Sequence, residues 1–88
     1  MREFIASLGE LRVVAFSGIS YAITYRTTVV SDRMLSNYLK ISKRELQEIA
    51  KKYNALTYVE DTREITYFKD LTKAVDCMKE LMHEKKYF

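Results

Sequence analysis

Ser31 to Asn54 reads SDRMLSNYLKISKRELQEIAKKYN, two short amphipathic stretches joined by three residues, and no other part of the chain constrains the fold as tightly. The second stretch opens on Ser42-Lys43-Arg44-Glu45. That is the spacing of a capping box, in which a Ser hydroxyl and a Glu carboxylate satisfy each other's orphan backbone donors. Behind it, Leu46, Ile49, Ala50 and Tyr53 recur at i, i+3, i+4 and i+7 and predict one buried stripe. Lys43, Arg44, Gln47 and Lys51 fall on the opposite face, with no apolar residue among them. The first stretch carries Ser31 as its N-cap and Asp32 in the first turn, where the helix dipole favours an acid. Met34, Leu35, Tyr38 and Leu39 are its expected inward face. In the turn Lys40-Ile41-Ser42, Ile41 is placed to plug the angle between the helices.

Downstream, Leu56–Glu60 and Glu64–Phe68 alternate and are rich in branched and aromatic residues, which predicts two strands. Asp61-Thr62-Arg63 between them predicts a tight hairpin over 56–68. From Asp70 the period becomes helical again, with Leu71, Ala74, Val75, Met78, Leu81 and Met82 on one stripe of a helix over about 70–86. Lys85 and Lys86 suit the negative end of its dipole. This stripe either closes the core or meets its copy in a second chain. The near-heptad spacing 71, 74, 78, 81 suits a homodimer, whose expected contacts are Leu71, Val75, Met78, Leu81 and Met82.

The first thirty residues admit two readings. Phe4, Leu8, Leu11 and Ala15 lie at helical spacing and predict a helix over about 2–16, with a strand near Thr27–Val30 and residues 18–26 left open. LRVVAFS and YAITYRTTVV, separated by Gly18, equally suit a hairpin, which would make the chain a two-layer α+β domain of order ββααββα.

The run YLKISKRELQEIAKKYNAL with the hairpin behind it resembles winged helix-turn-helix DNA-binding domains, at superfamily level and over roughly residues 8–68. In that family an apolar residue, usually Gly, an Ile or Val, and Ser lead into the recognition helix. Lys40 stands where Gly is common, and keeping the left-handed turn with Lys costs roughly 1 kcal/mol. The resemblance implies an α+β winged fold with a C-terminal dimerisation helix and double-stranded DNA as partner. Lys43, Arg44, Gln47 and Lys51 would then face the major groove, and Arg63 on the wing would reach the backbone or minor groove.

Charge agrees in its placement. Residues 31–54 hold six Lys or Arg against three acids, whereas residues 1–30 hold three against two and residues 55–88 hold six against seven. The net +3 of the 88-residue chain therefore sits on the helix pair, as a phosphate-binding surface requires. The length fits one domain spanning 1–88, and no apolar run approaches the ~20 residues that span a bilayer. A single cysteine, Cys77, rules out an internal disulfide framework and suits a reducing cytoplasm.

Enzymatic readings find little support. His83 reads as a solvated helix-end residue, Cys77 as a small apolar residue without an activating partner, and Glu60, Asp61 and Glu64 as a charged turn. No cofactor, metal ligand set or catalytic residue is expected, because phosphate loops and metal-spaced Cys/His sets are absent from the sequence. Three functions remain in order: a sequence-specific DNA-binding regulator, a protein-interaction or inhibitor module without nucleic-acid affinity, and an RNA-binding module exploiting seven Tyr and four Phe.

Overall fold

A computed structural model describes residues 4–16, 18, 20–26 and 29–84. Three strands lead, β1 Phe4–Leu8, β2 Leu11–Ala15 and β3 Tyr21–Tyr25. The helices α1 Asp32–Leu39 and α2 Lys43–Lys51 follow, then the strands β4 Leu56–Glu60 and β5 Arg63–Phe68, and finally α3 Leu71–Glu84. The strands form one antiparallel sheet in the order β1-β2-β3-β5-β4. The architecture is a small α+β domain with helices packed on one face of that sheet.

The expected helix over 2–16 is replaced by the hairpin β1–β2. Gly9 turns the chain at φ +60, a left-handed conformation that costs glycine little. Val13 and Val14 are β-branched and prefer a pleated surface. Leu11 and Val13 pair with Tyr25 and Ile23 on the helix-bearing face, so a period of two, not of 3.6, decides which side chains enter the main core, while Val14, Ala22 and Thr24 are buried on the other face. The alternative hairpin over LRVVAFS and YAITYRTTVV is present as β2–β3, so the element order βββααββα has one strand more than the ββααββα alternative. The strand expected near Thr27–Val30 lies earlier, at Tyr21–Tyr25; residues 27 and 28 are outside the described set, and Val29 and Val30 are not in a strand.

The helix pair forms where the caps placed it. The Ser31 hydroxyl accepts the Met34 N–H at 3.3 Å, and the Ser42 hydroxyl accepts the Glu45 N–H at 3.0 Å. Only the Ser42 half of the capping box is made. Lys40 adopts φ 60, ψ 37, keeping the left-handed turn without glycine, and its N–H together with that of Ile41 closes the end of α1 on carbonyls of Asn37 and Ser36. Ile41 is buried between the helices as expected. The inward face of α1 differs from expectation: Asp32, Leu35, Ser36 and Leu39 are buried, whereas Met34 and Tyr38 are exposed. Tyr38 nonetheless stacks on Tyr25, with centroids 3.9 Å apart.

The core gathers Leu11, Val13 and Ile23 from the N-terminal strands, Phe68 from β5, and Leu35, Leu39, Leu46 and Ile49 from the helix pair. Across it lies α3, whose Ala74, Cys77, Met78 and Leu81 are at most 1% exposed. Its apolar stripe therefore closes this domain, which is one of the two roles the sequence allowed. Lys85 and Lys86, expected at the end of this helix, lie outside the described residues. Among the described residues, no helix is long and apolar enough to cross a membrane.

Candidate nucleic-acid interface

The polar face of α2 stands beside the β4–β5 hairpin, and the contacts between them determine what this surface can offer a ligand. Arg44 points outward with its side chain 88% exposed, held loosely by Glu48 one turn on at 3.6 Å. Lys51 is also exposed and lines the cleft between α2 and the hairpin. Lys43 forms an ion pair with Glu64 of β5. Arg63 at the hairpin tip pairs with Glu60 at 3.2 Å, so its charge is matched within its own turn, and Asp61 leaves the tip with an excess acid.

Gln47 departs most from expectation. It is half-buried, and its Nε2 donates to Asp32 Oδ2 at 3.0 Å and to Glu64 Oε1 at 3.3 Å. The side chain placed on the reading face by periodicity is instead a strut between α1, α2 and β5. Asp32, only 2% exposed, is the hub of this network. Its carboxylate also accepts the Thr66 N–H at 2.9 Å and the Thr66 hydroxyl at 2.7 Å. A buried carboxylate is tolerable when hydrogen bonds and a helix N-terminus replace its hydration. Asp32, at the first position of α1, has both. The hydrogen bonds from Lys43 and then Gln47 hold the Glu64 carboxyl below its ordinary range.

Between α2 and the hairpin remains a cleft of about 380 Å³, walled by Gln47, Ala50 and Lys51 on one side and by Thr57, Val59, Glu64 and Thr66 on the other. Together the exposed cations Lys40, Lys43, Arg44 and Lys51 surround the start and outer side of α2. Exposed ion pairs contribute at most about 1 kcal/mol each. An incoming phosphate can therefore compete for Lys43 or Arg44, which the hydrogen bonds of Gln47 to buried Asp32 do not permit so readily.

The expected dimer contacts are placed differently from one another. Met78 and Leu81 are inside the core, and Leu71, Val75 and Met82 pack at its margin. None of the five is among the exposed large hydrophobics; Leu56, Tyr58 and Val59, all in β4, are. Cys77 is buried, and burial pushes its thiol up to about 12, far from a nucleophile's range. His83 is exposed near the end of α3.

Sequence reasoning missed Asp32 and Glu64 as partners of Gln47, and Thr66 as a partner of Asp32. The available signal was the spacing 32, 35, 36, 39, which defines a helical stripe only if an aspartate and a serine are admitted to it. No family model matches the chain, and no curated protein or solved structure shows significant similarity to it.

Proposed function

We propose that the chain binds double-stranded DNA through the outer side of α2, as a small regulator. The observation that carries this reading is the capped helix itself. It buries Leu46, Ile49 and Ala50 and leaves Lys43, Arg44 and Lys51 in solvent beside a hairpin, with Lys40 at its entrance. Arg44 is the side chain for a base edge, and Lys40, Lys43 and Lys51 are those for phosphates. Gln47 acts by fixing α2 against the hairpin and Asp32, and makes no base contact in this reading. Arg63, already paired with Glu60, contributes little.

A second reading is favoured by a separate observation. Lys43, Arg44 and Arg63 each have an acidic neighbour, while β4 exposes apolar side chains at a sheet edge. Those features suit a protein-interaction module. Shift assays on genomic DNA fragments, with RNA and a scrambled duplex as competitors, separate the two. Retention of a subset of fragments, lost on Arg44→Ala without loss of folding, supports the DNA reading. Absence of duplex binding at low salt transfers the assignment to the interaction module.

A further inference from the structure

We propose that β4 is a self-association edge, through which two copies of the chain join their sheets antiparallel about a two-fold axis at Tyr58. This inference does not rest on DNA binding and is tested without nucleic acid; it shares with that reading only Lys51, which here faces the second copy. The strand order leaves β1 and β4 as the two edges of the sheet. They are not equivalent. The register of β1 on β2 shifts between Phe4 and Ala6, an irregularity of the kind that discourages edge pairing. The β4 register on β5 runs unbroken through five pairs, from Leu56 opposite Tyr67 to Glu60 opposite Arg63. All five β4 residues are exposed, and the strand LTYVE contains neither Pro nor Lys. Leu56, Tyr58 and Val59 are 42%, 44% and 60% exposed, half of the exposed large hydrophobics among the described residues. A regular edge that exposes apolar side chains is a template for another strand.

The occupant is identified by self-complementarity. With Tyr58 on the axis, Thr57 of one copy lies opposite Val59 of the second, and Leu56 opposite Glu60. Partners then have the same parity along the strand, so outward backbone donors and acceptors meet their counterparts whichever residues carry them. The strand's one charge, Glu60, is kept from its own copy by about four residues or roughly 13 Å, beyond the screening length at physiological salt. Just past this register, Asp61 of one copy, a turn residue at φ 59, lies near Ala55 of the other. Ala55 and Lys51 line the same cleft, so Lys51 stands at the same end of the edge as that carboxylate. Neither Lys51 nor Asp61 has a side-chain hydrogen bond or ion pair within the chain among the described residues. The two-fold operation thus supplies both with opposite charges, twice per dimer.

Five paired residues a side bury less than a standard interface, so association of micromolar strength or weaker is expected. Sedimentation velocity from about 5 to about 500 μM reads it directly, the wild type passing from monomer to dimer across the range. Val59→Lys puts an ammonium one residue from the axis, at the edge's most exposed position. It should reduce association at least about tenfold with an unchanged circular dichroism spectrum. Lys51→Glu and Asp61→Lys should each be monomeric alone, because like charges then face each other. An equimolar mixture of the two should associate, because the introduced carboxylate of one variant faces the introduced ammonium of the other. The second pair across that mixed interface is the native one. A wild type that stays monomeric at about 500 μM overturns the proposal. So does Val59→Lys associating like the wild type, or a mixture of the folded single variants that remains monomeric.

Discussion

Replacing Asp32 by Ala tests the network that holds α2 against the hairpin. The carboxylate accepts from the Thr66 N–H, the Thr66 hydroxyl and Gln47 Nε2, at 2.9, 2.7 and 3.0 Å, and is 2% exposed. Hydrogen bonds to a charged group contribute about 1.5–3 kcal/mol each, and stranding a buried donor costs about 1–3 kcal/mol. These terms are not additive, because Gln47 keeps Glu64 and the Thr66 hydroxyl can turn elsewhere. The Thr66 N–H has no such freedom. Adding about 0.3–1 kcal/mol for a negative charge at the start of α1, the loss comes to about 3–5 kcal/mol. For a chain this size, with total stability of about 4–13 kcal/mol, that is a large fraction. Asp32→Asn keeps one acceptor for the Thr66 N–H and should cost roughly half as much. Urea unfolding followed by circular dichroism measures both variants, and amide exchange at Thr66 reports the hairpin side separately. A loss below about 1 kcal/mol for Asp32→Ala would refute the reasoning, by showing that desolvation of the carboxylate cancels its hydrogen bonds.

Lys40→Gly should raise stability by about 0.5–1 kcal/mol, since Lys40 is exposed and held at φ 60; a lower urea midpoint would contradict this. Met78→Glu should unfold the chain at any protein concentration, because a charge at a site 1% exposed has no partner; a folded variant by circular dichroism would place Met78 outside the core. The hydrogen bond to Glu80 raises the Tyr53 hydroxyl to about 12 from 10.0. Its contribution to stability is fully present below pH 10 and disappears as the pH rises towards 12. Difference titration of tyrosinate absorbance between wild type and Tyr53→Phe should show one late ionisation, and an ordinary one would remove the Glu80 contact. Lys52 and then Tyr53 hold Glu80 below its ordinary 4.5, so its contribution should be present above that pH and lost as the pH falls further; Glu80→Gln should flatten this acid limb.

What the sequence disclosed tracks how local each signal was. Ser31 and Ser42 cap their own helices three residues away, and Leu46, Ile49 and Ala50 form a stripe within one helix, so the pair and its turn were legible. The hairpin over 56–68 was legible for the same reason, with alternation on both sides of a short turn. The N-terminal strands were not, because Phe4, Leu8, Leu11 and Ala15 coincide with a helical period by chance. What buries Leu11 and Val13 is pairing with Tyr25 and Ile23, together with cover from α3 more than fifty residues later. The candidate interface was only half readable. Arg44 and Lys51 follow from periodicity, but the retreat of Gln47 depends on Asp32 and Glu64, 15 and 17 residues away. The stripe of α3 could not reveal from spacing alone whether its cover was its own sheet or a second chain.

The most direct test of the DNA assignment is a salt titration of duplex binding by fluorescence anisotropy, for wild type and Arg44→Ala. With about four phosphate contacts, the logarithm of the binding constant should fall with the logarithm of salt concentration with a slope near about −3.6. That is a loss on the order of a hundredfold between 50 and 200 mM. Arg44→Ala should weaken binding to a preferred fragment by about 1–3 kcal/mol and bring it close to that of a scrambled duplex. No duplex binding at 50 mM salt, or binding that Arg44→Ala leaves unchanged, would contradict the proposal that α2 is the surface that meets DNA.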